Sequence, residues 1–122
     1  MTIRGIRGAT TVQDDRPELI LAATQELLES IITANPLVRP EDVASAFFTV
    51  TDDISSIHPA LAARKMGWNM VPMMCAREIP VPGSLPLCIR VLVQWNTDLD
   101  QKAIKHIYLQ NAVSLRPDLV KA

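Results

Sequence analysis

The segment LCIRVLVQW, residues 87–95, alternates along its length. Successive side chains of a strand point to opposite faces, so Ile89, Val91, Val93 and Trp95 fill one face while Cys88, Arg90, Leu92 and Gln94 line the other. The first set needs a covering layer. The second carries Arg90 as a lone charge in an otherwise apolar strand. Working outward, TIRGIRGATTV (residues 2–12) reads as another strand, with Ile3, Gly5, Arg7 and Ala9 on one face and Arg4, Ile6, Gly8 and Thr10 on the other. Arg4 and Arg7 therefore point opposite ways.

Between these two strands lie further elements. Asp14 and Asp15 offer an N-cap ahead of Pro17 and Glu18, and Ile20, Ala23, Leu27, Leu28 and Ile31 recur at helical spacing until Asn35-Pro36 stops the helix. VASAFFTVT (residues 43–51) is rich in β-branched and aromatic residues and predicts a buried strand ended by Thr51-Asp52-Asp53. HPALAARKM (residues 58–66) suits a short helix closed by Gly67, and a strand is expected from about Asn69 to Cys75. Residues 76–86, with Pro80, Pro82, Gly83 and Pro86, read as a loop, and Asp98 and Asp100 as caps of a last helix running through Ile104 and Ile107. The order predicts an α+β fold, a mixed sheet with helices packed on one face, in a single domain spanning residues 1–122. Its uncovered apolar face calls for another subunit, so homo-oligomerisation is expected.

Composition narrows the function. Twelve Lys+Arg against thirteen Asp+Glu leave no basic excess to neutralise a nucleic-acid backbone, so nucleic acid is not an expected partner. Two cysteines without a CxxC pair, no apolar leader in MTIRGIRGATT and no apolar run near the ~20 residues of a membrane span predict a soluble, cytoplasmic protein. His58 and His106 lack flanking ligands at metal-binding spacing, and no nucleophile elbow, phosphate loop or dinucleotide fingerprint appears. No metal and no cofactor are expected.

Eight of the twelve basic residues are Arg, whose planar fork matches carboxylates in paired hydrogen bonds, so small anions are candidate ligands beside ordinary surface ion pairing. Arg7 sits between Gly5 and Gly8, where missing side chains let something approach the backbone, or where a Gly-rich edge strand merely sets register. Arg90 needs a partner, which could be Glu78, a ligand anion or both. Cys75, Glu78, Tyr108 and Arg116 add thiol, carboxylate, phenol and guanidinium groups at loop and strand ends. No base is placed to activate any of them, so an active site here would work by electrostatics and fit.

IRGIRGATTV (3–12), PEDV (40–43), GWNMVPMMCAREI (67–79), CIRVLV (88–93) and HIYLQNAVSLRPDL (106–119) together resemble the small trimeric chorismate mutases of the pseudo-α/β-barrel class. The resemblance implies a homotrimer forming a pseudo-α/β barrel, with active sites in the clefts between subunits, converting chorismate to prephenate in aromatic amino acid (Phe/Tyr) biosynthesis. By matching motif, Arg7 and Tyr108 would hold the carboxylate of the enolpyruvyl side chain, Glu78 with Cys75 would bind the ring hydroxyl, and Arg90 would face the ether oxygen. Arg64 and Arg116 match arginines near the mouth, and Ala60, Met73, Met74 and Leu115 match wall positions. The chain departs from the family pattern at His58 (commonly Phe), Leu61 (commonly Lys) and Met73-Met74 (commonly Val-Thr). Two other functions fit the same fold: an imine deaminase, whose clefts also use an Arg for a substrate carboxylate, and a non-catalytic metabolite-binding trimer. The motifs favour the mutase, and Arg90 has no purpose in a sensor.

Overall fold

A computed structural model describes residues 2–116 of the chain. Strands β1 (Thr2–Thr11), β2 (Val43–Val50), β3 (Met73–Arg77), β4 (Cys88–Thr97) and β5 (Ile107–Tyr108) form one sheet in the order β3-β2-β4-β1-β5. Helices α1 (Pro17–Ala34) and α2 (Ala60–Lys65) cover one face. β1 and β2 both run antiparallel to β4, whereas the outer strands β3 and β5 run parallel to β2 and β1. This is the mixed, one-side-covered α+β sheet expected from the alternation.

The apolar face of β4 behaves as its sequence requires: Ile89, Val91, Val93 and Trp95 are all buried. They meet Ile6 of β1, Ala46 and Phe48 of β2 and the stripe Leu27, Leu28 and Ile31 of α1, with Trp68 closing the far end. Each such large side chain withdrawn from water contributes about 1.5–3 kcal/mol. The opposite face leaves Ile3, Phe47, Met74 and Leu92 exposed. Among the described residues no helix is long and apolar enough to cross a membrane.

The backbone of Gly8 helps line a cavity on one side of the sheet, while its side-chain position faces α1 on the other. A Cβ there would lie 2.9 Å from Ile31 Cδ1, 3.1 Å from Leu27 Cδ1 and 3.2 Å from Val91 Cγ1, so the missing side chain is what lets the helix approach the sheet. Gly5 is on the uncovered face, where Leu92 Cδ1 comes within 3.3 Å of its would-be Cβ.

Three local expectations differ from the structure. Neither Asp14 nor Asp15 caps α1, whose N-cap is Arg16 with no side-chain hydrogen bond. The Asp15 carboxylate instead accepts the N–H groups of Ser55 at 3.0 Å and Ser56 at 3.1 Å, stitching the loop before α2 to the start of α1. Hydrogen bonds from Ser56 and Ser55 hold its carboxyl below the usual value. β3 starts and ends later than expected, because Val71 is buried in the core and the parallel pairing with β2 begins only at Met73. The last helix does not form. One 3₁₀ turn at Gln101–Ala103 gives way to the extended β5, followed by a 3₁₀ segment at Gln110–Leu115. The backbone of residues 107–109 is claimed by β1 instead, with Leu109 N–H on Ala9 O at 2.9 Å.

Candidate active site

Cross-strand register sets one row of side chains on the uncovered face. Thr49 of β2 pairs with Arg90 of β4, Arg90 with Ala9 of β1, and Ala9 with Tyr108 of β5. Neighbouring strands lie about 4.8 Å apart, so the Arg90 and Tyr108 backbones are separated by roughly 10 Å, with only a methyl group between them. Ala9 thus makes a notch walled by a guanidinium and a phenol. In the next row along, Phe47, Leu92 and Arg7 occupy the same face. The result is a cavity of about 320 Å³ lined by Arg7, Ala9, Phe47, Thr49, Glu78, Arg90, Leu92 and Tyr108, among others.

Glu78 reaches this cavity from just beyond the end of β3. Its N–H donates to Val50 O at 2.9 Å, which continues the parallel pairing and keeps the side chain on the uncovered face. The Thr49 hydroxyl donates to Glu78 Oε2. Arg90 Nε lies 3.5 Å from the same oxygen, a charge pair too long for a good hydrogen bond. Arg90 Nε and the Tyr108 hydroxyl are both buried, and neither has a hydrogen-bond partner among the described residues. Leaving such groups unpaired costs about 1–3 kcal/mol each. Both belong to residues that line the cavity.

The entry into β4 is clamped. Leu87 sits in the left-handed region at φ 50°, with its N–H on Asp53 Oδ2 at 2.9 Å. The next residue, Cys88, donates its N–H to Thr51 Oγ1 at 3.0 Å. Arg90 is two residues further on, so the Thr51 and Asp53 side chains help set its position. The Cys88 thiol is buried; burial pushes its pKa up and outweighs the opposing pull of Arg90, so it stays neutral and serves as packing.

Of the residues marked from sequence, Arg7, Glu78, Arg90 and Tyr108 meet at this cavity. Leu115 packs beside Tyr108 in the small cluster with Ala9 and Ala112. Arg116, which ends the described chain, lies close enough to His106 to act on its charge. Within one chain the others sit elsewhere. Met73 and Cys75 lie on the covered side against the main core, and Ala60 is buried in it. Cys75 also lines a separate hollow of about 210 Å³ with His58, Pro59 and Arg77. Met74 is exposed opposite Phe47, and Arg64 is exposed in the last turn of α2. The spacing of Cys75 and Glu78 explains their separation, because an odd offset on an extended chain sends side chains to opposite faces. Sequence reasoning missed Thr49, Phe47 and Leu92 as lining residues. Thr49, a polar residue in the apolar run VASAFFTV, was the available signal.

Comparison with known proteins gives consistent matches. The family model described as chorismate mutase type I matches residues 3–119. A chorismate mutase AroH of Thermus thermophilus is 54% identical over 120 residues, covering 98% of this chain and 98% of that protein. A chorismate mutase AroH of Bacillus subtilis (strain 168) is 48% identical over 120 residues, covering 98% of this chain and 94% of the relative. Among solved structures, a chorismate mutase from Clostridium thermocellum superposes with a TM-score of 0.88 at 49% identity, covering 90% of this chain and 97% of that one.

Proposed function

The chain belongs to the chorismate mutase type I family and catalyses the rearrangement of chorismate to prephenate, and from that premise we propose that the cavity of Arg7, Glu78, Arg90 and Tyr108 is where the reaction takes place. The reaction is a unimolecular [3,3] shift. The C–O bond breaks ahead of C–C formation, which leaves negative charge on the ether oxygen and positive character on the ring. Nothing in it requires a nucleophile or a proton transfer, and the cavity's groups are suited to holding and polarising.

Arg7 and Tyr108 grip the carboxylate of the enolpyruvyl side chain, folding it over the ring into the compact conformer that is rare in water. Arg90 faces the ether oxygen. Its attraction strengthens as the C–O bond breaks, so it stabilises the transition state more than the ground state. Glu78, ionised, accepts from the ring hydroxyl and balances the ring's positive character. Arg90's existing pairing with Glu78 is no obstacle. At 3.5 Å, with side chains 39% and 26% exposed, it is worth at most about 1 kcal/mol. A preorganised donor on a developing oxyanion is worth about 2.7–4 kcal/mol.

The observation that carries this reading is the pair of buried donors without partners, Arg90 Nε and Tyr108 OH, on either side of the Ala9 notch. Replacing Arg90 by its neutral isostere citrulline tests it. Loss of chorismate absorbance should slow by at least about 10²-fold in kcat, with the oligomer intact. Near-normal turnover to prephenate would end the ether-oxygen role.

The active molecule is a homotrimer in this reading, with each site completed by a neighbouring copy. Support comes from the exposed apolar residues of the uncovered face and from the distribution of the expected contacts. Arg64, Cys75 and Met74 lie toward the β3 edge, away from Arg7 and Tyr108 at the β1–β5 side, so two chains set side by side could contribute both halves.

A further inference from the structure

His106 is absent from the roles assigned so far, yet it touches the site's scaffold at its weakest point. β5 is only two residues long, and it carries Tyr108. Its pairing with β1 consists of Gly8 with Ile107 and Ala9 with Tyr108, and Arg7 lies one residue before that ladder. There the Arg7 N–H finds its acceptor in a side chain, His106 Nδ1, at 2.9 Å. On the other flank, Asn35 at the end of α1 holds Lys105 by both backbone groups: its Nδ2 donates to Lys105 O at 2.9 Å, and its Oδ1 accepts the Lys105 N–H at 2.9 Å. The segment is thus clamped between helix and strand, with the imidazole as the clamp on the β1 side.

We propose that His106 is a positioning residue for the mutase site, its neutral ring locking Arg7 and Tyr108 in register so that both reach one substrate carboxylate. The proposal rests on the reading of Arg7 and Tyr108 given above. An acceptor at Nδ1 puts the ring's single proton on Nε2. Protonation would set an N–H at Nδ1 against the Arg7 N–H, leaving two donors face to face, and the ring would have to swing away. An added cation would attract an anionic substrate, but a partly exposed charge is worth less than the joint it would release.

The surroundings favour the neutral form. Burial, then the charges of Arg7 on β1 and Arg116 after the last 3₁₀ segment, hold His106 below its ordinary value. Lys105, its exposed neighbour in sequence, adds a further cation to the segment. Among the described residues no carboxylate counts among the groups that shift it.

Asparagine tests this cleanly, because its Oδ1 stands the same number of bonds from Cα as Nδ1 of histidine and accepts a hydrogen bond without titrating. Leucine has the same reach and accepts nothing. For the wild-type protein kcat/KM for chorismate should fall on the acid side of the His106 titration, below pH 6.5. His106→Leu should lower kcat/KM roughly tenfold even at pH 8, chiefly through KM, as loss of one hydrogen bond does. His106→Asn should recover most of that loss and remove the acid fall. In ¹⁵N spectra of the full chain, the imidazole signals missing from His106→Asn should be those of an Nε2–H tautomer. A tautomer protonated on Nδ1, an acid fall unchanged in His106→Asn, or His106→Leu equal to wild type would each overturn the proposal. An Arg7→Ala control separates the two readings: undiminished kcat/KM there would refute the carboxylate role of Arg7, while the tautomer still reports whether the clamp exists.

Discussion

Thr49 shows how one hydroxyl can govern a charge it does not carry. Glu78 extends from beyond the end of a strand, and without a fixed partner its carboxylate could close fully onto Arg90 or turn to solvent. The Thr49 hydroxyl holds Oε2, and the cross-strand pairing of Thr49 with Arg90 sets the distance at which the two charges face each other. Thr49→Val keeps the shape and removes the donor. It should lower kcat by roughly tenfold or more with the fold unchanged, the effect of one hydrogen bond to a charged group, and Thr49→Ser should restore most of the loss. Steady-state assays of both variants decide the matter, and a valine variant with wild-type kcat would show that Glu78 needs no such restraint. At this scale the charged residues were legible from sequence because an arginine in an apolar strand must find a partner. Thr49 was not, because nothing in the chain order says which β2 residue lies beside Arg90.

Among elements, β1, α1 and β4 follow directly from periodicity, since each buries one face and the pattern of that face is local. The contact between α1 and β1 depends on Gly8. Gly8→Val would drive two methyl groups into Ile31, Leu27 and Val91, and overpacking of this kind costs about 1–3 kcal/mol. The variant should melt several degrees lower in a thermal scan; an unchanged midpoint would mean that the helix can retreat freely. β5 was the illegible element. Ile104 and Ile107 have a helix-like spacing, and acidic residues stand where caps would, but local propensity is a weak bias. The ladder to β1, the two bonds of Asn35 to Lys105 and the His106 clamp outweigh it.

For the whole molecule, an uncovered sheet face bearing Ile3, Phe47, Met74 and Leu92 predicts association. Light scattering should give a mass near three times that of one chain. If sites are shared, mixing two inactive variants, one altered at Arg90 and one at a β3-side residue such as Cys75, should regain activity when subunits exchange, because some mixed sites carry neither defect. A stable, fully active monomer would refute both expectations. The sequence by itself determined the layer architecture, the identity of the family and the presence of an isolated guanidinium, because each depends on side-chain alternation or on motifs contiguous in the chain. Only the tertiary structure decided that Thr49, Arg90, Ala9 and Tyr108 form one row, that the last segment is a strand, and that Cys75 and Glu78 face opposite ways within one chain. Register between strands distant in sequence is set by packing of the whole sheet against α1, and no local pattern encodes it.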